Sequence, residues 1–360
     1  MGYNTIIGST AIEMVAIKGT RPTGSARVSL AALVLAVTAC QGDDGQAPFR
    51  NYLTRLGRVL DTPVPAVYAA VLPQAPRPAQ LRHELPPGKL GTLDFLAISG
   101  CEVQVTIGKR NSSLGRMAKE SQRLLLELEY LALAPECIDY QRRQGRSGVA
   151  DTLEQAWQLK KQQLPALAFN ATLGSQEYRD FWRRRSLEAS YPASTSSSVI
   201  TALEAVNAMV RRWLSGDYRA DNLEFEILLG EIATGDGGTL LAALARQGEW
   251  LASADRLLAD RMQRKPLCTP GFRPDAADIL HNVVVKYFIG EIQPAAAALE
   301  RRRQQLLSPV ALLEAQLSSA LPNNYLEWQG RREALLGDFA AAPKRHVEQI
   351  MAIQAPCTAG

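Results

Sequence analysis

The sequence predicts an all-α protein, a body of about nine or ten helices with a Pro-rich extended connector near its N-terminal end. Apolar residues recur at spacings of three and four along most of the chain after residue 48. Prolines cluster in one early segment and otherwise mark the edges of the periodic stretches. With 46% hydrophobic and 21% charged residues, the 360-residue chain can bury a substantial core, which excludes a disordered protein.

The first half begins with a helix whose apolar face carries Phe49, Tyr52 and Leu56, and which ends before Pro63. The connector, residues 62–92, contains seven prolines and is predicted to run extended over the body. Residues 93–107 fit a strand or a helix. Further helices are predicted over 117–134, stopped by Pro135, over 149–164, and over 175–187 with Ser175 as N-cap.

A Ser/Thr-rich stretch, residues 193–198, is the predicted boundary if the body divides into two halves. The second half continues as helices without an internal repeat. Their predicted ranges are 199–214, 221–233, 241–262, 274–287 and 294–307, and the next helix is predicted to start at Pro309. A surface turn at 323–325 is predicted to lead into a further helix.

The N-terminal region has the pattern of an export signal. Arg21 and Arg27 precede a run over 28–37 interrupted only by Ser29, too short for a membrane-spanning helix of roughly 20 residues. The following residues, Val-Thr-Ala-Cys ending at Cys40, resemble the lipobox of bacterial lipoproteins. We therefore interpret residues 1–39 as a lipoprotein signal peptide, with Met14 as an alternative start, and Cys40 as the lipidated residue.

Lipid on Cys40 would make the membrane the first partner of the protein, because two or three acyl chains anchor stably. Residues 40–48 would be a tether that keeps the body within roughly 30 Å of its anchor. Gln41 stands where aspartate resembles an inner-membrane retention signal. The predicted location is therefore the periplasm-facing envelope, at the outer rather than the inner membrane.

Four cysteines follow Cys40, and an even number in an oxidising compartment predicts two disulfides. Of the three possible pairings we favour Cys101 with Cys137 and Cys268 with Cys357, each within its own half. The chain has no CxxC spacing and only three scattered histidines. We therefore predict no metal site, and no cofactor is indicated.

The formal charge of +4 argues against nucleic acid as a partner. The leader contributes +2 of it, and nucleic-acid binding needs a concentrated basic face.

Sequence motifs of common hydrolases are absent: the chain contains no G-x-S-x-G, S-x-x-K or H-E-x-x-H. The glycine-rich run 235–239 lacks a P-loop lysine and is interpreted as a turn between helices. Two groups of polar residues remain as weak candidates for binding or for a structural role. They are Arg110, Asn111, Ser112 and Ser113, and the pair Asn282 and Lys286.

Several segments resemble a family of bacterial envelope proteins catalogued as domain of unknown function number three-zero-eight-zero. They are LDFL at 93–96, SGC at 99–101, RNSSLG at 110–115, LAPEC at 133–137, the stretch 157–172 and GEIQP at 290–294. The resemblance covers nearly the whole chain after Cys40. It implies a lipoprotein address and one continuous domain, and it names no activity.

Two functional hypotheses follow. The first is an interaction or scaffold lipoprotein that binds an envelope protein or peptidoglycan, and we favour it because catalytic motifs are missing. The alternative is a cell-wall or lipid hydrolase that uses two carboxylates roughly 5 to 10 Å apart in a cleft. No aspartate or glutamate is singled out for that role by the sequence.

Overall fold

The computed structural model describes residues 45–86, 98 and 100–357, and over these ranges the protein is α-helical. The described residues form no strand, only an isolated antiparallel bridge between Thr269 and Phe272. The predicted fold class is therefore confirmed. Residues Gly42–Gly360 form one compact unit, and Cys40 lies outside the described part of the chain.

The N-terminal part of the body alternates helix and extended chain. Helix α1, Ala47–Val59, leads into the Pro-rich connector, whose described residues, 62–86, run without regular structure except for one short helical turn. That turn is α2, Pro78–Leu81, and it is followed by α3, Val103–Asn111, and α4, Ser113–Arg116. The described end of the ambiguous segment is therefore helix, while residues 91–97 lie outside the described ranges.

Helices α5, Glu120–Arg143, and α6, Ser147–Ala171, pack against each other. The predicted stop at Pro135 is wrong, because α5 continues through it. A proline inside a helix lacks the N–H that would bond the carbonyl four residues earlier. Here the freed carbonyl of Leu131 accepts a hydrogen bond from Trp157 Nε1 at 3.0 Å. A side chain of α6 thus supplies the donor that the proline removes.

Helix α7, Gln176–Phe181, begins as predicted at Ser175, whose side chain accepts a bond from Tyr178 N. It ends well before residue 187, so that part of the prediction is wrong. Beyond Trp182 the chain is bound to the end of another helix. The Arg185 guanidinium donates to the carbonyls of Ala233 and Thr234 at 3.0 and 2.8 Å. These two bonds hold the segment after Trp182 against the C-terminal end of the helix that ends at Thr234, so it does not continue α7.

The remaining helices follow the predicted periodicity closely. They are α8, Ser198–Leu214; α9, Asn222–Thr234; α10, Gly237–Arg264; α11, Asp275–Val283; a π-helix, Val284–Ile292; α12, Gln293–Gln316; and α13, Asn323–Gln354. Pro309 does not start a new helix as predicted. It lies inside α12, and its carbonyl accepts a bond from Asn207 Nδ2 of α8.

The apolar faces meet in three clusters. The largest joins residues from both sides of the 193–198 loop, among them Phe181, Trp213 and Trp328. A second packs α1, α10, α11, the π-helix and the end of α13. A third, smaller cluster packs α3, α5 and α6.

A buried arginine organises the largest cluster. Arg332 is fully buried between the rings of Trp182 and Trp328, 4.6 and 4.7 Å from their centroids. Its guanidinium donates two bonds to the Glu314 carboxylate, at 2.9 and 3.0 Å. The hydroxyl of Tyr325 donates to Glu314 at 2.6 Å. We call these residues, with Tyr178, the sealed arginine cluster.

Burial raises the pKa of both tyrosines in this cluster, and the charge of Glu314 raises it further. The hydroxyl of Tyr178 lies 3.3 Å from Glu314 and 3.2 Å from the hydroxyl of Tyr325. Both phenols therefore stay protonated donors around one carboxylate.

Two disulfides and a buried histidine fasten the other clusters. Cys101 is bonded to Cys137 and Cys268 to Cys357, which are the two pairs favoured from the sequence. His346 is fully buried, with Nδ1 2.5 Å from Asp255 Oδ1 and Nε2 2.9 Å from the Tyr52 hydroxyl. This row of side chains joins α13 to α10 and α1.

Among the described residues, one stretch is long and apolar enough to span a membrane by length and composition. It covers Asn222–Arg264, and 61% of its most apolar window is buried inside the body. Because these residues supply much of the largest cluster, they serve here as core helices.

Candidate functional site: an arginine-lined cleft

The predicted Arg110 segment borders a polar cleft of about 480 Å³. One wall is the end of the connector, residues 82–86, and the others come from α3, α4, α5 and α6. Four of its lining residues are arginines, which makes this the arginine cleft: Arg82, Arg110, Arg116 and Arg123.

The floor of the cleft is a buried ion-pair group. Glu127 of α5 and Lys160 of α6 are each 5% exposed and in direct contact. Arg110 Nε lies 2.5 Å from the other oxygen of Glu127. Burial lowers the pKa of Lys160, and the Glu127 charge opposes that shift. The Glu127 carboxylate therefore pairs with two cations, and this pairing fixes the Arg110 side chain at the cleft wall.

A second carboxylate holds two more arginines at the rim. Arg82 Nε lies 3.0 Å from Glu120 Oε1, and Arg123 Nη1 lies 3.6 Å from the same oxygen. The charges of these pairs are partly exposed, so each contributes little to stability. Three of the four arginines therefore share the two carboxylates of Glu120 and Glu127. With Glu84, which also lines the cleft, three carboxylates face four arginines, so the lining carries a small excess of positive charge.

Arg116 is the arginine without a carboxylate. It is exposed, and within the described ranges its guanidinium makes no ion pair or hydrogen bond, although its carbonyl accepts from Arg123 Nη2 at 2.9 Å. Its neighbours Leu114 and Met117 are 84% and 85% exposed. A free guanidinium between two protruding apolar side chains is a combination found in protein interfaces.

The connector wall is held by Asn170 of α6, which is 2% exposed. Its Oδ1 accepts from the backbone N–H of His83 at 2.9 Å, and its Nδ2 donates to the His83 carbonyl at 3.0 Å. The His83 ring bonds through Nε2 to the Ala320 carbonyl at 2.7 Å. The wall that carries Arg82 is therefore fixed in place by the body.

Only part of the predicted RNSS group lines the cleft. Arg110 and Asn111 do, whereas Ser112 caps α4 by accepting from Gly115 N at 3.0 Å and donating to the Lys109 carbonyl at 2.7 Å. Ser113 is exposed at the start of α4. Sequence reasoning missed Arg82, Arg123 and Asn170, because they come from three segments that only the tertiary fold brings together.

The second predicted pair lies elsewhere. Asn282 and Lys286 are both exposed, on α11 and the π-helix, and Lys286 Nζ lies 5.5 Å from the Tyr287 ring centroid. They are not part of the cleft. Since neither is buried, they form no internal polar cluster.

The glycine-rich run at the start of α10, residues 235–239, allows close packing against α7 and Trp182. A Cβ on Gly237 would lie 2.4 Å from the Phe181 ring, and one on Gly238 would lie 2.3 Å from the Trp182 carbonyl oxygen. Its aspartate, Asp236, pairs with the buried Arg302 and accepts from the Tyr191 hydroxyl at 2.9 Å. The run is thus the turn between α9 and α10, as interpreted from the sequence.

The family described as "Protein of unknown function (DUF3080)" matches residues 49–357. The chain belongs to this family. Its matched range includes the arginine cleft, both disulfides and the sealed arginine cluster. No curated protein and no solved structure matches the chain.

Proposed function

We propose that this DUF3080 protein is an envelope lipoprotein, anchored by lipid on Cys40, whose helical body binds an acidic segment of another envelope protein in the arginine cleft. The observation that carries the proposal is the excess of fixed arginines in one concave site, with Arg116 free to pair. Arginine suits this role because its planar guanidinium binds carboxylates through two parallel hydrogen bonds.

A protein partner suits the site better than peptidoglycan does. The exposed Leu114 and Met117 flank the arginines and offer apolar contact area. Among the described residues, the cleft lining contains no Trp or Tyr on which a sugar ring could stack. Peptidoglycan, whose peptide stems also carry carboxylates, is the other outcome of the test below.

The partner is tested by photo-crosslinking in living cells. A photoreactive amino acid replaces Asn111, and cross-linked products are identified by mass spectrometry. We expect one envelope protein to be cross-linked repeatedly. Arg116→Glu should reduce the yield of this cross-linked product about tenfold, because the new carboxylate repels the acidic partner and one ion pair is lost. The matched control is Arg143→Glu, an exposed arginine on α5 outside the cleft.

Equal loss in both variants, or cross-links only to wall fragments, would reject the protein partner. The anchor is tested separately by metabolic labelling with a fatty acid. Labelling of the wild type that disappears in Cys40→Ser supports the lipoprotein assignment, and unlabelled wild-type protein rejects it.

The alternative hydrolase has one observation in its favour. Glu120 and Glu127 both line the cleft and lie seven residues apart on α5, a rise of about 10 Å. Each is held in ion pairs with arginine or lysine, which suits positioning better than proton transfer. Wall turnover that depends on Glu120→Gln and Glu127→Gln, without a cross-linked partner, would favour the hydrolase.

A further inference from the structure

A second concave region runs along α10. It consists of two cavities of about 640 and 830 Å³ that share Ala70, Leu72 and Arg184. The floor is the face of α10 that carries Gly238, Ala242 and Ala245. The walls are two extended segments, residues 67–75 of the connector and residues 182–187. We call it the α10 groove.

The groove is basic. Five arginines line it: Arg179, Arg183, Arg184, Arg185 and Arg246. Arg184 is exposed and makes no ion pair or hydrogen bond within the described ranges, and Arg179 Nε is buried without a partner. The acidic residues are already engaged: Asp180 lies 3.7 Å from Arg183, and Glu249 accepts from Ala70 N at 2.5 Å.

Apolar side chains protrude beside these arginines. Val71, which lines the groove, is 92% exposed, and Tyr68, three residues earlier on the same connector, is 73% exposed. Arg256 lies over the Tyr68 ring, 5.7 Å from its centroid. Tyrosine beside arginine on an exposed rim is typical of residues at a membrane–water interface.

The chain enters the body at the end of this groove. Gln46 lines it, and a Cβ on Gly45 would lie 3.0 Å from Arg246 Nη2. Cys40 precedes Gly45 by five residues, so the two lie at most about 18 Å apart. A lipid on Cys40 would therefore hold the mouth of the groove close to the membrane surface.

We infer that the α10 groove docks on anionic phospholipid headgroups of the membrane in which the protein is anchored. This inference rests on the proposed lipidation of Cys40. Arg183 and Arg184 pair with headgroup phosphates, and Tyr68 and Val71 enter the interfacial layer. Each arginine near an anionic surface strengthens binding about fivefold.

The test uses the chain from residue 40 with Cys40→Ser, which lacks lipid, and measures co-sedimentation with vesicles. We expect binding to vesicles that contain phosphatidylglycerol, and little binding to pure phosphatidylcholine. The double variant Arg183→Gln/Arg184→Gln should bind about tenfold or more weakly, and Val71→Glu should also bind more weakly. The matched control is Arg143→Gln/Arg331→Gln, two exposed arginines that do not line the groove.

Equal weakening by both double variants would show attraction by net charge alone and would overturn the inference, as would absence of any preference for phosphatidylglycerol. Thermal unfolding of each variant checks that the body is intact. Since the assayed chain carries no lipid, a failure here is distinct from a failure of fatty-acid labelling at Cys40 in cells.

Discussion

The sealed arginine cluster and the arginine cleft use the same chemistry with opposite results. In the first, Arg332 is fully buried between two tryptophan rings, and its guanidinium donates to the carboxylates of Glu314 and Glu333. In the second, Arg116 is exposed beside carboxylates that already serve other cations. An arginine stabilises the fold when a carboxylate of the same protein pairs with it. It is available to a ligand when it has no such partner.

The largest expected effect comes from removing the matched arginine. Arg332→Met leaves the Glu314 carboxylate buried without its cation, and such a loss costs about 3–5 kcal/mol. Arg110→Met should cost below about 1 kcal/mol, because Arg110 is half-buried and Glu127 keeps Lys160. Urea unfolding measures both. Similar losses would contradict the distinction between the two regions.

The next effect tests how tightly the sealed cluster is packed. Gly238→Ala places a Cβ 2.3 Å from the Trp182 carbonyl, which should displace the ring on Arg332 and cost about 1–3 kcal/mol. Gly230→Ala is the control, since no atom lies within 4 Å of its added Cβ. As an exposed position in α9, it should gain about 0.5–1 kcal/mol. Differential scanning calorimetry would show opposite shifts in Tm.

Alkaline pH should lower the free energy of unfolding through the two tyrosines of the sealed arginine cluster. The pKa of Tyr178 and of Tyr325 is raised in the folded state, so the folded protein keeps protons that the unfolded chain loses above pH about 10. Stability is therefore lost as pH rises above that value, by up to about 1.4 kcal/mol per pH unit for each group. Tyr178→Phe should flatten this dependence in urea unfolding followed from pH 8 to 11.

A dependence unchanged in Tyr178→Phe would assign the alkaline loss to other buried phenols, such as Tyr52 or Tyr130, whose pKa is also raised by burial. The matched variants Tyr52→Phe and Tyr130→Phe distinguish these contributions.

The smallest effect on stability is expected at the unmatched arginine. Arg116→Gln should change the free energy of unfolding by no more than about 0.5 kcal/mol, because the side chain is exposed and its guanidinium makes no ion pair or hydrogen bond with the described residues. The same variant should lower the yield of the partner cross-linked through residue 111. A large loss of stability would place Arg116 in the fold rather than in the binding site.

The sequence predicts what depends on local periodicity and on pairing within the chain. The helical faces and both disulfides follow from apolar spacing and cysteine positions. The sequence predicts a helix end at Pro135, because the donor that replaces the missing N–H, Trp157 Nε1, lies on another helix. Likewise, Arg110 was visible as a polar residue between apolar segments, whereas its meeting with Arg82 and Arg123 depends on tertiary packing.

The connector borders both concave regions, and this has a thermodynamic consequence. Residues 67–75 form a wall of the α10 groove and residues 82–86 a wall of the arginine cleft. Prolines at 76 and 78 stiffen the chain between them. If ligand binding in one region moves the connector, the affinity of the other region for its ligand must change. Thermodynamic linkage requires that each ligand change the affinity for the other by the same factor. Attachment to a membrane and capture of a partner would then be coupled equilibria.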